Sequence, residues 1–188
     1  MNEFIASIKS ATSSLHIKLE DTPISKKIVS PEITREEYAL YLSRILSMHK
    51  EVEAHSFPIV QRVIRDTAQR IKTNAVQEDL HQLEYSAAAN IYFLDTHYSK
   101  ELNFNLGLMY VTEGSVLGGQ FILKNIKNIL GQDIPAHFLN VYGQHTGTLW
   151  KSFLTQLQEH ESILNQNERD EIIAGAKYGF ERAYSILK

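Results

Sequence analysis

Apolar residues recur at steps of three and four along nearly the whole chain, and no run alternates convincingly with the period of a strand. Phe4, Ile5, Ile8, Ala11, Leu15 and Leu19 mark an amphipathic first helix from about Asn2 to Asp21. Thr22-Pro23 suggests its boundary, and a loop is expected to run from there to Thr34. Thr34 and Glu37 form a capping box for a second helix that carries Tyr38, Tyr41, Leu42, Ile45 and Leu46 inward and continues to about Ser56. Pro58 is placed to open a third helix through Ile59, Val60, Val63 and Ile64, ending near Lys72. A fourth is predicted over Val76–Tyr98, with Leu80, Leu83, Ala87, Ile91 and Leu94 inward. A long helix follows from about Leu102 to Leu130 and stops at Gly131, a residue suited to a helix C-terminus. A short helix is expected around Ala136–Tyr142, then one from Thr148 to Leu164 after Gly143 and Gly147. Asn165 and Glu168 fit the start of a last helix reaching Leu187. The expected fold class is all-α, with seven or eight helices in one domain spanning 1–188.

The long helix contains Tyr110-Val-Thr-Glu-Gly-Ser-Val-Leu-Gly-Gly-Gln120, with Gly114, Gly118 and Gly119 in its interior. Each glycine there costs roughly 1 kcal/mol relative to alanine. Gly114 and Gly118 are one turn apart and share a face, with Gly107 near the same stripe. Two readings fit: a bare face on which a broad, flat ligand lies, or a close helix–helix contact. Clustered glycines also permit a kink. A membrane span is not expected, because Asn103, Asn105, Glu113 and Lys124 interrupt the run before the ~20 apolar residues a span needs.

Composition narrows the chemistry. A net charge of −3 gives no reason to expect nucleic acid or an anionic membrane as partner. The chain has no cysteine, which removes disulfides, thiolate metal sites and cysteine nucleophiles. The N-terminus lacks a basic segment followed by an apolar one, so a cytoplasmic location is expected, and a monomer with it.

Of eight histidines, His16 has the most informative surroundings. It lies beside the apolar stripe of the first helix with Glu20 one turn on, where a carboxylate can meet an imidazole. A metal-ligating histidine usually has its second nitrogen held by such an acceptor. Lys9 lies two turns before it on the same face.

Together, Ile8-Lys-Ser-Ala-Thr-Ser-Ser-Leu-His16-Ile-Lys-Leu-Glu20 and the glycine-bearing stretch resemble the proximal and distal helices of bacterial haem oxygenases. Helix order, total length and the spacing between the motifs are similar too. Thr148-Leu-Trp150-Lys151 is similar to a late helix that offers a basic group to haem propionates, and Phe180 to an aromatic bordering the pocket. The resemblance implies haem b sandwiched between the first helix and a kinked distal helix, as both substrate and cofactor.

In that reading His16 holds the iron and Glu20 orients it, while Lys9 and Lys151 pair with the propionates. Gly114 and Gly118 let the distal backbone approach the macrocycle, leaving room for dioxygen. With O2 and electrons from a ferredoxin or flavin-dependent reductase, the products would be a biliverdin, carbon monoxide and ferrous iron. Ser115 stands where many members have an aspartate, and Gly147 where some have a second basic residue. Two alternatives are a haem-binding or storage protein without turnover and a di-iron oxidase. The latter needs two Glu-x-x-His motifs, and Glu78-Asp-Leu-His81 is the only one in the chain.

Overall fold

A computed structural model describes residues 3–85 and 99–188. Among these the elements are α1 (Glu3–Glu20), α2 (Pro23–Ile28), α3 (Arg35–Glu51), α4 (Phe57–Val60), α5 (Thr73–Gln82), α6 (Leu102–Leu130), α7 (Thr146–Glu161) and α8 (Gln166–Leu187), with no strand. A π-helical turn, Val52–Ser56, joins α3 to α4, and 3-10 turns lie at Thr67–Arg70 and Gly143–His145. The all-α expectation holds.

The capping boxes form as the sequence predicts. Thr34 Oγ1 accepts from Glu37 N–H at 3.2 Å and Glu37 returns the bond at 2.9 Å. Asn165 and Glu168 do the same at 3.1 and 2.8 Å. Gly131 ends α6 at φ 105°, a conformation that favours glycine.

Four expectations need correction. The segment after Thr22 is not all loop, because Pro23 opens α2 and Thr22 caps it by accepting from Ser25 N–H. The helix expected from Pro58 to Lys72 stops as α4 at Val60 and gives way to turns. Those turns bring Arg70 and Lys72 inward, where both are buried. The fourth helix ends as α5 at Gln82, and Glu84 follows with φ 54°; Ala87, Ile91 and Leu94 lie outside the described residues. Ala136–Tyr142 forms hydrogen-bonded turns rather than an α-helix. Asp79 holds these turns by accepting from the backbone N–H groups of His137 and Phe138 at 2.7 and 2.9 Å.

The core is organised by α6 and α8, which pack along much of their length, with α1 and α3 against α8, α5 against α3, and α7 against α6. Phe104, Gly107, Leu108 and Val111 share one face of α6, and Ile172, Gly175, Ala176 and Gly179 share one face of α8. These faces meet backbone to backbone. A Cβ on Gly107 would lie 1.9 Å from the Ile172 carbonyl oxygen, and one on Gly175 the same distance from that of Phe104. A Cβ on Gly179 would meet Val111 at 2.9 Å. For Gly107, then, the close-packing reading is the correct one.

Candidate active site

Past Val111 the same face of α6 is no longer covered by α8. A Cβ on Gly114 would find Trp150 at 3.5 Å, an ordinary contact, and one on Gly118 would find none of the described residues within 4 Å. Leu117 and Phe121, one turn after Gly114 and Gly118 respectively, are 43% and 67% exposed. Gly114, Leu117, Gly118 and Phe121 therefore form an apolar, partly bare stripe that, among the described residues, Trp150 borders at Gly114 and that is open from Leu117 to Phe121. Gly119 points the other way, toward the Leu139 carbonyl at 3.6 Å. Ser115 is exposed beside the stripe, its hydroxyl donating to the Thr112 carbonyl one turn back at 2.9 Å.

The structure brings His16, Glu20 and Phe180 together. Burial of Phe4, Ile5, Ile8 and Thr12 on the inner face of α1 fixes the helix rotation and leaves His16 at the rim. Its Nδ1 lies 3.5 Å from Glu20 Oε1. Its ring meets the buried Phe180 of α8 edge-on, with centroids 5.4 Å apart. Ile17, next along α1, is 66% exposed, and Lys18 Nζ sits 4.2 Å from the centre of the Tyr184 ring on α8. Helix α8 packs on both α1 and α6, while α1 and α6 make no substantial direct contact among the described residues. Phe180 follows Gly179, which contacts α6, so α8 links the histidine to the helix that carries the stripe. Lys9 and Lys151 are both exposed, the first on α1, the second on α7 immediately after Trp150.

Behind the stripe lies a charged cluster that the sequence did not disclose. Glu113, 1% exposed and adjacent to Gly114, accepts from Arg70, Lys72 and the Tyr142 hydroxyl. Arg70 also donates to both oxygens of Asp66, at 2.9 and 2.8 Å, and to the Leu149 carbonyl at 3.1 Å. Burial works against the Arg70 charge, but Asp66 and Glu113 outweigh it and raise its pKa. Burial, then the Glu113 charge, raises that of Tyr142. Glu53, on the π-helical turn, accepts from Lys72 N–H and Thr73 N–H at 2.7 and 2.9 Å and fixes the backbone that delivers Lys72. In the sequence Glu113 reads as an interruption of an apolar run, and its partners are distant in the chain, so no local pattern could have paired them.

A model of the family described as Heme oxygenase matches residues 2–188. The chain belongs to the haem oxygenase family. Its members are oxidoreductases, and this chain is an enzyme of that class. Among solved structures it is similar to the NO- and CO-bound heme oxygenase from Neisseria meningitidis, with a TM-score of 0.76 and 23% identity, covering 98% of this chain and 89% of that one. It is also similar to heme oxygenase from Leptospira interrogans, with a TM-score of 0.78, 17% identity and 98% of each chain covered. Heme oxygenase-1 from Synechocystis, solved in complex with heme, gives a TM-score of 0.74 at 11% identity over 98% of this chain and 90% of that one. At these identities the likeness carries the haem oxygenase fold. No curated relative matches the chain.

Glu78 accepts from Gln82 at 2.6 Å. Among the described residues no three His, Asp or Glu side chains stand close enough to hold a metal ion, and no helix is long and apolar enough to cross a membrane. Two clefts lie away from the stripe. One, of about 530 Å³, is bordered by His137 and Asp133; the other, of about 590 Å³, by Glu161 and Arg169.

Proposed function

We propose that this chain cleaves haem b, using O2 and externally supplied electrons, to a biliverdin, carbon monoxide and ferrous iron. The observation that carries the reading is the contrast between two sets of glycines on α6 and α8. Gly107, Gly175 and Gly179 are demanded by packing, since a Cβ on any of them would collide with its neighbour. Gly114 and Gly118 are not, because an added Cβ would be accommodated at both. Two helix-interior glycines that the fold does not require cost roughly 2 kcal/mol together. A flat ligand lying against the backbone accounts for them, and the exposed Leu117, Phe121 and Ile17 supply apolar surface for it to cover.

The residues fit haem in chemistry as well as in shape. With Nδ1 of His16 turned to Glu20, Nε2 is the nitrogen left to hold iron, and Glu20 stands where it can accept the Nδ1 proton and orient the ring. Phe180 presses on the imidazole from the α8 side and limits its rotation. Lys9 and Lys151 are free to pair with propionate carboxylates at the solvent edge. Gly114 and Gly118 carry no side chain that could coordinate the iron and would leave room beside α6 for a diatomic molecule. The Ser115 Oγ, its proton given to Thr112, has lone pairs that can accept from water but no carboxylate charge. Bound haem supplies the iron that activates dioxygen and is itself the ring opened. A ferredoxin or a flavin-dependent reductase is the class of donor the chemistry calls for.

The deciding experiment is an absorbance time course of the protein with haem and a reductase system, with catalase present. Loss of the Soret band with growth of a biliverdin band is expected. A stable Soret band would leave a haem-binding protein without turnover, for which the occupied Ser115 hydroxyl is the structural argument. Failure of haem to bind would end both readings.

A further inference from the structure

We propose that Arg70 is a positioning residue that holds Trp150 against Gly114, and that Trp150 so held is the wall that stops the macrocycle edge beneath α6. The second half rests on the proposed haem reading; the first does not.

Arg70 bridges the residues that precede both members of the Gly114–Trp150 contact. Its Nη1 donates to Glu113, the residue before Gly114, and its Nη2 donates to the carbonyl of Leu149, the residue before Trp150. One planar, fully buried guanidinium therefore fixes the separation of α6 and the first turns of α7 at the point where they flank the bare stripe. A second route reinforces the first. The Arg70 guanidinium lies 5.7 Å from the centre of the Phe153 ring, and Phe153 stacks on Trp150 with centroids 5.7 Å apart and planes at 19°. Tyr110, one turn before Gly114, also meets the indole, with ring centroids 5.4 Å apart.

The guanidinium itself has little freedom. Asp66 takes Nε and Nη2 in a two-pronged pair, and Gln156 of α7 donates to the same carboxylate at 3.2 Å. Lys72 Nζ binds the Arg70 carbonyl at 3.1 Å as well as Glu113. Two cations face two carboxylates, so the cluster is near neutrality and every guanidinium hydrogen bond serves to orient it. Among the described residues a neighbour stands opposite Gly114 but not Gly118, and that neighbour is Trp150. The stripe is thus closed at Gly114 and open at Gly118, and the position of Trp150 determines how far a flat ligand can slide toward the closed end.

The test uses Arg70→Lys in the full chain. Lysine keeps the positive charge beside Asp66 and Glu113, but a single ammonium cannot also reach the Leu149 carbonyl and keep the guanidinium's place over the Phe153 ring. Trp150 is the chain's single tryptophan and is half-buried, so its fluorescence reports the contact directly in the haem-free protein. Far below the melting temperature, a rise of about twofold in the acrylamide quenching constant is expected, as the ring goes from half-covered to open. Loss of stability alone would lower the melting temperature without changing quenching of the folded form. Asp66→Asn removes one charge from the Arg70 clamp while retaining side-chain shape, and is expected to raise quenching less, in the same direction. It serves as the test if the lysine variant does not fold.

On turnover, the ratio of biliverdin isomers is expected to shift in whichever variant loosens Trp150. Unchanged quenching in a folded variant overturns the proposal. Increased quenching with an unchanged isomer ratio overturns the role of Trp150 as the wall. Wild-type protein that takes up no haem would sink the proposed function, while the quenching experiment would still decide whether Arg70 places Trp150.

Discussion

Gly107 of α6 rests on the backbone of Ile172 in α8, so closely that an added Cβ would stand 1.9 Å from the Ile172 carbonyl oxygen. The obstacle is a main-chain atom inside a helix, which cannot rotate away. Gly107→Ala must therefore push α6 and α8 apart, at a cost of at least about 3 kcal/mol. Urea denaturation of the two proteins checks this, and a loss under 1 kcal/mol would mean that the crossing is looser than its geometry implies.

Gly118 shows the opposite relationship, with nothing among the described residues within 4 Å of its added Cβ. Gly118→Ala is expected to stabilise the haem-free protein by about 1 kcal/mol through helix propensity. It should weaken dioxygen binding and turnover of the haem complex. Higher stability together with wild-type oxygen affinity would show that the bare stripe has no ligand to accommodate.

His16 is more than half exposed, and its removal should leave stability within about 0.5 kcal/mol of wild type. His16→Ala is nonetheless expected to lose the Soret spectrum of histidine-ligated haem and all turnover, with added imidazole restoring the spectrum. Retained activity without imidazole would assign the iron to another residue.

Glu113 lies between Arg70 and Lys72 with 1% of its surface exposed. Glu113→Gln leaves both cations facing a neutral amide, and breaking a buried pair in this way costs roughly 3–5 kcal/mol. Thermal and urea unfolding measure it directly. A loss below 1 kcal/mol would mean that water reaches the cluster and screens it.

His49 is buried, meets Phe138 edge-on at 5.1 Å, and has its pKa lowered to about 3 by burial and then by the Lys72 charge. The folded protein thus keeps His49 neutral where the unfolded chain, with a pKa near 6.5, takes up a proton. This contribution is full well above pH 6.5 and falls by about 1.4 kcal/mol per pH unit as the pH drops from there toward 3. Comparing urea unfolding of wild type and His49→Leu at pH 7, 6 and 5 isolates this contribution; identical slopes would remove it.

Much of the fold was legible because amphipathic periodicity and capping are local properties. Phe4, Ile5 and Ile8 are buried in α1 as their spacing predicts, as are Tyr38, Leu42 and Ile45 in α3. The errors arose where distant partners overrode local preference. The run from Pro58 to Lys72 has the apolar spacing of a helix, but unwinding it lets Arg70 and Lys72 reach Glu113. Ala136–Tyr142 runs in turns tied to α5 through Asp79, which accepts from the N–H groups of His137 and Phe138 and lies 58 residues away in the chain. The two motifs pointed to the family, but Trp150 and the Arg70 cluster around the stripe emerged only in three dimensions.

The sequence by itself determined α1, α3, α6, α7 and α8, the capping boxes at Thr34 and Asn165 and the two motifs, since each is set by residues within a turn or two of one another. It could not separate Gly107 from Gly114 and Gly118, which lie on one face of one helix. Tertiary structure decided that: α8 covers the face as far as Val111 and then leaves it, so identical residues become a packing contact in one half and an open surface in the other. Whether a bare backbone is filled by another helix or left open depends on what crosses it, and a local pattern carries no record of the crossing.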